Sequence, residues 1–112
     1  MHIDSYTFGR IVIDGKSYTS DVLVFPERVV SPWWRSQGHL LQMEDLTEVL
    51  RERPEVLIVG KGFSGLMKVP QGLIDELGSM GIKVIAERTN RAVTIFNDCK
   101  GSRVAAALHL TC

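Results

Sequence analysis

The stretch Val56-Leu57-Ile58-Val59-Gly60-Lys61-Gly62-Phe63-Ser64-Gly65 decides the fold. Its first four residues are aliphatic with no polar alternation, as in a strand buried on both faces of a helix-covered sheet. A glycine-rich loop over residues 60–68 follows. Pro70 then opens a helix, since proline suits the first helical position. Leu73, Ile74, Leu77 and Met80 supply its apolar stripe, and Gly81 its left-handed cap. Residues 82–86 read as a second short buried strand. Thr89 caps a further helix with Ala92, Val93, Phe96 and Cys99 on its inner face, and Gly101 ends it. Residues 103–110 form a last strand. The order β-α-β-α-β predicts parallel strands joined by helical crossovers.

Upstream, residues 43–52 predict another helix. Leu46, Val49 and Leu50 lie at helical spacing, Glu44 and Asp45 sit in the first turn, and Pro54 stops it. Residues 33–42 show no period and read as a loop. Residues 1–32 are rich in β-branched and aromatic residues broken by turn signals, which suits antiparallel strands. Asp14-Gly15 is a two-residue hairpin signal between residues 11–13 and 17–19. Residues 21–25 form a further apolar run, which Val29-Val30 extends beyond Pro26. The expectation is one α/β domain over residues 1–112, a mixed sheet covered by about three helices with an added β-hairpin layer.

The chain has 112 residues, 45% apolar and 23% charged, with 13 basic and 13 acidic side chains. Such a composition argues against disorder and against a strongly basic nucleic-acid binder. The charge is not spread evenly. Residues 1–56 hold nine acids and six bases, and residues 57–112 hold four and seven. The later cations include Lys61, Lys68, Arg88, Arg91, Lys100 and Arg103, so an anionic ligand is favoured if several converge. The start, Met1-His2-Ile3-Asp4, lacks the basic and apolar regions of a signal peptide. The longest apolar run, about seven residues, falls far short of a membrane span. Two cysteines, Cys99 and Cys112, give no disulfide framework. A cytoplasmic protein with reduced thiols is expected.

Gly60-Lys61-Gly62-Phe63-Ser64-Gly65 matches G-x-G-x-x-G, and Glu87 lies 22 residues after the third glycine. A dinucleotide site, however, needs a helix opening within the glycine loop. Here Leu66-Met67-Lys68-Val69 intervene before Pro70, and no room remains for a second mononucleotide half. The simpler reading is a strand-end loop. Free amides near Lys61 or Lys68 could still hold a phosphate or carboxylate. That ligand site would use Gly60, Lys61, Gly62, Ser64 and Lys68, with charge from Arg88 and hydrogen bonds from Thr89 and Asn97.

Trp33-Trp34-Arg35 with His39 is the other unusual cluster. Adjacent aromatics beside a cation can wall a ligand or anchor a protein contact. The plainer alternative has one tryptophan covering a core edge and the other packing on the arginine stem. The three histidines lack metal-ligand spacing apart from His109-x-x-Cys112, which lacks two further ligands, so no metal is expected. No G-x-S-x-G elbow is present. Ser64 or Cys112 as a nucleophile is the weakest reading, and no catalytic residue or cofactor is predicted.

Several segments occur together and in order: Tyr6-x-Phe8-Gly9, Asp21, Trp34 with His39, and residues 56–62. They continue with Leu66-Met67-Lys68-Val69-Pro70, Gly81-Ile82-Lys83-Val84, Thr89-x-x-Ala92, Phe96-Asn97 and Leu108-His109-Leu110-Thr111-Cys112. This set resembles, over nearly the whole chain, a family of small Mth-type domains of uncharacterised function. That family includes the adipogenesis-associated Mth-domain-containing protein and the mitochondrial complex I assembly factor three. The resemblance implies a three-layer α/β architecture and no catalytic residues. Many relatives carry threonine within Gly-x-Gly where this chain has Lys61, which argues against a catalytic Lys61. The leading expectation is a non-enzymatic cytoplasmic domain that binds a protein partner as an assembly or regulatory factor. It would be a monomer or weak homodimer, without specific nucleic acid or membrane binding. The alternative is a small-anion or small-molecule site at the 60–65 loop.

Overall fold

The computed structural model describes residues 1–99 and 103–112. A five-stranded sheet lies at its centre. Its strands are β4 (Val22–Val24), β5 (Val29–Val30), β6 (Val56–Lys61), β7 (Lys83–Glu87) and β8 (Val104–His109). They run in the order β5-β4-β8-β6-β7. β6 pairs in parallel with both β7 and β8, and β4 pairs antiparallel with β8 and β5. A separate antiparallel sheet holds β1 (Ile3–Thr7), β2 (Arg10–Ile13) and β3 (Lys16–Tyr18). At its β2–β3 turn Asp14 and Gly15 both have positive φ, 48° and 82°, which a two-residue hairpin of right-twisted strands requires.

The helices follow from the crossovers. α2 (Gln71–Ser79) carries the chain from β6 outward to β7. α3 (Thr89–Asp98) then brings it back past β6 to β8. Right-handed crossovers in opposite directions put their helices on opposite faces. The core divides accordingly. Leu57, Val59, Ala105 and Ala107 face Leu73 and Leu77 of α2 together with Leu46 and Val49. Ile58, Ala106 and Leu108 face Ala92 and Phe96 of α3 with Ile3 and Ile11 of the small sheet. Three layers result, as the sequence predicts. The buried run Ala105-Ala106-Ala107 keeps β8 thin, so elements on both faces approach closely.

The local differences have local causes. Residues 43–52 split into a 3-10 turn (Met43–Leu46) and α1 (Thr47–Glu52), ended by Arg53 in the left-handed region before Pro54. Pro70 is the N-cap of α2 rather than its first helical residue. β7 lies at the sheet edge and is only half-buried, because among the described residues no strand pairs with its far side. Arg88, not Thr89, is the N-cap of α3; Thr89 is its first residue and is fully buried. Cys99 lies just beyond the helix. The expected stop at Gly101 lies outside the described residues.

Candidate functional site

Parallel pairing brings the carboxyl ends of β6 and β8 side by side, with Lys61 opposite His109. The loop after β6 folds over residues 110–112. Three successive carbonyls there accept amides from different loops. The Leu110 carbonyl accepts Gly9 at 2.8 Å, Thr111 accepts Phe63 at 2.6 Å and Cys112 accepts Leu66 at 3.0 Å. Gly62, at φ 102°, sits so close to the Cys112 backbone carbonyl that any Cβ would overlap it. Gly62 therefore serves this close crossing of backbones.

The amides of Gly62, Phe63, Gly65 and Leu66 are consequently engaged. Gly62 N–H donates to the Thr89 hydroxyl at 2.9 Å, and Gly65 N–H to the Gly62 carbonyl at 3.2 Å. Phe63 and Leu66 are held as described. Thr89 is also committed, since its buried hydroxyl donates to the His109 carbonyl at 2.6 Å. Asn97 joins α3 to β1 through both its amide atoms, which bond the Ile3 backbone at 3.0 and 2.8 Å. Of the residues proposed around the loop, Lys61, Ser64, Lys68 and Arg88 keep side chains open to solvent. Lys61 and Lys68 line a groove of about 650 Å³ with Leu40, Met67, Pro70 and Ile74, and Arg88 lies against Gly65. Lys83 and Arg103 enter the parallel strands at the opposite end of the sheet. Lys61, Lys68 and Arg88 thus lie at one end of the sheet, and Lys83 and Arg103 at the other.

The same crossing exposes three large apolar side chains. Phe8, Phe63 and Leu66 are each about half-exposed, at 55%, 51% and 52%. Phe8 and Phe63 meet edge to face with ring centres 5.9 Å apart. Among the described residues, no carboxylate forms an ion pair with Lys61, Lys68 or Arg88.

The tryptophans separate. Trp33 is buried, donates its indole N–H to the Asp45 carbonyl at 2.9 Å, and carries the Arg35 guanidinium over its ring at 4.7 Å. Trp34 is 79% exposed. A smaller groove beside them is lined by Ser20, Asp21, Trp33, Trp34, Arg35 and Gly38. The two grooves share no residue, although the Lys68 amide bonds the His39 carbonyl at 2.8 Å and so joins the two loops.

Between them lies a polar cluster that sequence spacing does not reveal. The His109 imidazole Nδ1 lies 2.8 Å from Asp21 Oδ2 and 3.0 Å from Arg35 Nη2. The ionised carboxylate only accepts, so Nδ1 carries the proton. Arg35 Nη2 donates to the Gly38 carbonyl, and Nη1 makes a 2.8 Å ionic contact with Oδ2 that is poorly aligned for a hydrogen bond. Asp21 Oδ1 accepts the Leu110 amide at 2.7 Å. Burial pushes the Asp21 carboxyl up, but hydrogen bonds from His109 and Leu110 and the adjacent Arg35 guanidinium outweigh it and hold it below the ordinary carboxylate range. His109 Nε2 is left buried with no partner. The His39 ring lies next to His109, with centres 5.8 Å apart. Asp21 and His109 are 88 residues apart, and no local pattern marks either as a partner of Arg35.

Residues 3–109 match the model of a family described as "Protein of unknown function (DUF498/DUF598)". The chain is similar to a conserved hypothetical protein from Pyrococcus horikoshii OT3, at 27% identity, TM-score 0.83 and full coverage of both chains. It is similar to a Bartonella henselae protein described as an outer membrane protein, at 27% identity and TM-score 0.81. That match covers 97% of this chain and 93% of the other. A Mth938-like domain from Bordetella pertussis shares the fold at 22% identity and TM-score 0.67, over 97% and 85% of the two chains. Among the described residues, no helix of this chain is long and apolar enough to cross a membrane.

Proposed function

Because the chain belongs to the DUF498/DUF598 family of proteins of unknown function, we propose its role from its surface: it binds a protein partner through the crossing of residues 60–68 with residues 110–112. One observation carries this reading: Phe8, Phe63 and Leu66 are half-exposed around three successive carbonyls of one backbone segment. A rigid backbone that holds apolar anchors in solvent has already met part of the ordering cost of association. Lys61, Lys68 and Arg88 beside these anchors select an acidic partner segment. Trp34, on the adjoining loop, extends the surface with an aromatic of the kind enriched at binding hot spots. Such a module acts as an assembly or regulatory factor in the cytoplasm.

The test compares affinity capture by the wild-type chain, Phe63→Ser/Leu66→Ser and Lys61→Glu/Arg88→Glu at low salt. A partner recovered by the wild type and lost with both variants supports the reading. Equal recovery by all three, or no recovery, rejects it. Self-association of the purified chain that both variants abolish would make the partner a second copy.

The groove floored by Met67 and Ile74 favours a second reading. Two lysines over an apolar floor suit a small amphipathic carboxylate or phosphate. Thermal shifts with such ligands at millimolar concentration, lost in Lys61→Ala/Lys68→Ala, would support it. No shift from any of them would exclude it.

A further inference from the structure

The pair of imidazoles beyond this surface points to a different chemistry. His109 donates Nδ1–H to Asp21 at 2.8 Å. A carboxylate in that position fixes the tautomer of a metal-ligating histidine and raises the basicity of its other nitrogen. That nitrogen, Nε2, is buried without a hydrogen-bond partner, on a side chain only 7% exposed. Buried polar atoms in proteins are almost always paired, so an orphaned lone pair calls for an explanation.

His39 supplies one. Its ring centre is 5.8 Å from that of His109, with the planes at 66°. Two imidazoles that ligate one zinc ion at about 2.0–2.1 Å in tetrahedral or wider geometry have centres about 5–6 Å apart. We propose that His39 and His109 bind one divalent transition-metal ion of the zinc type, with water completing its coordination. His39 is exposed and lies on the irregular loop after Trp33, so its ring is free to turn toward the ion. Asp21 is the outer partner that orients His109. Arg35 contacts His109 at Nδ1, not at the liganding nitrogen, and its charge is met by Asp21. Among the described residues no third His, Cys, Asp or Glu completes a protein cage. Lys61, opposite His109 on β6, adds a cation nearby. Both features make the site exchangeable rather than structural.

The experiment is calorimetric titration of Zn²⁺ into the full reduced chain, with Co²⁺ absorption as a second readout. One equivalent should bind. His39→Ala should weaken it at least tenfold, and His109→Ala as much. Asp21→Asn, which loosens the outer partner, should weaken it about 10–100-fold. His2→Ala and Cys112→Ser, which remove another histidine and a free thiol, should bind as the wild type does. His39→Ala changes an exposed loop residue, so the answer does not depend on His109→Ala folding. No binding at millimolar Zn²⁺, unaltered affinity in His39→Ala, or loss of binding in His2→Ala or Cys112→Ser would each overturn the proposal.

Discussion

The hydroxyl of Thr89, first residue of α3, donates to the backbone carbonyl of His109, last residue of β8, at 2.6 Å. The same oxygen accepts the Gly62 amide at 2.9 Å, and all of this is buried. One side chain therefore fastens helix, strand and loop at the point where the candidate surfaces meet. Thr89→Val preserves shape but leaves a donor and an acceptor buried and unpaired. We expect a loss of about 2–4 kcal/mol, and less than about 1.5 kcal/mol for Thr89→Ser, which keeps the hydroxyl. Urea unfolding of the three proteins checks the order.

Gly60 is fixed by space. A Cβ there would lie 2.7 Å from the Thr89 hydroxyl and 2.9 Å from a Leu108 methyl. Gly60→Ala should cost about 1–3 kcal/mol by overpacking. Gly62→Ala should cost more, because the obstacle is the Cys112 backbone and the φ is positive. Thermal melts and amide exchange at Phe63 and Leu66 would show the loop releasing first.

Asp21 makes stability pH-dependent in a defined direction. Its folded-state carboxyl titrates below the unfolded value of 3.8. The stabilisation is therefore full above the ordinary carboxylate range and is lost as pH falls through the folded value. Asp21→Asn should be clearly less stable than the wild type at pH 6, and the gap should narrow steadily below pH of about 4. A gap independent of pH from 6 to 2.5 would contradict this account.

Tyr6 acts at the other end of the scale. Burial raises its phenol to about 12, reinforced by the charge of Asp21. Its hydroxyl donates to the Leu110 carbonyl at 2.7 Å. An acid whose folded value is raised stabilises below the unfolded value, near 10, and that stabilisation is lost as pH rises through the folded one. The wild type should lose stability relative to Tyr6→Phe between pH values of about 10 and 12. Phenolate absorbance should show one late step that Tyr6→Phe removes.

The adjacent tryptophans should behave oppositely. Trp33→Ala empties a buried site and removes a hydrogen bond, so about 3–5 kcal/mol should be lost. Trp34→Ala should stay within about 0.5 kcal/mol, as surface changes do. Its fluorescence should be that of a water-exposed indole.

Much of the architecture is legible because its signals are local. Val56-Leu57-Ile58-Val59 puts an aliphatic side chain on each face of its strand in turn, so both faces must be covered. Pro54 and Pro70 stop and start helices through the chain geometry of one residue. Asp14-Gly15 fixes the hairpin register for the same reason. The site was only partly legible. Lys61, Lys68 and Arg88 stand out in the sequence by charge, and Trp34, Arg35 and His39 by their unusual company. Phe8, Phe63 and Leu66 resemble core residues in sequence, and only solvent exposure distinguishes them. Thr89 and Asn97 look like ligand donors, yet their hydrogen bonds close the fold.

The sequence by itself determined an α/β fold with a parallel β-α-β-α-β half and an antiparallel start, because hydrophobic period and turn chemistry act within a few residues. It also determined that the cations are concentrated in the second half. Tertiary structure alone decided which cations meet. The parallel register puts Lys61 opposite His109 and sends Lys83 and Arg103 to the other end of the sheet. It also decided that the glycine loop is filled by the backbone of residues 110–112, and that Asp21, Arg35 and His109 share one buried cluster. Such pairings depend on strand order and crossover direction, which are set by how the layers pack, and no spacing along the chain encodes them.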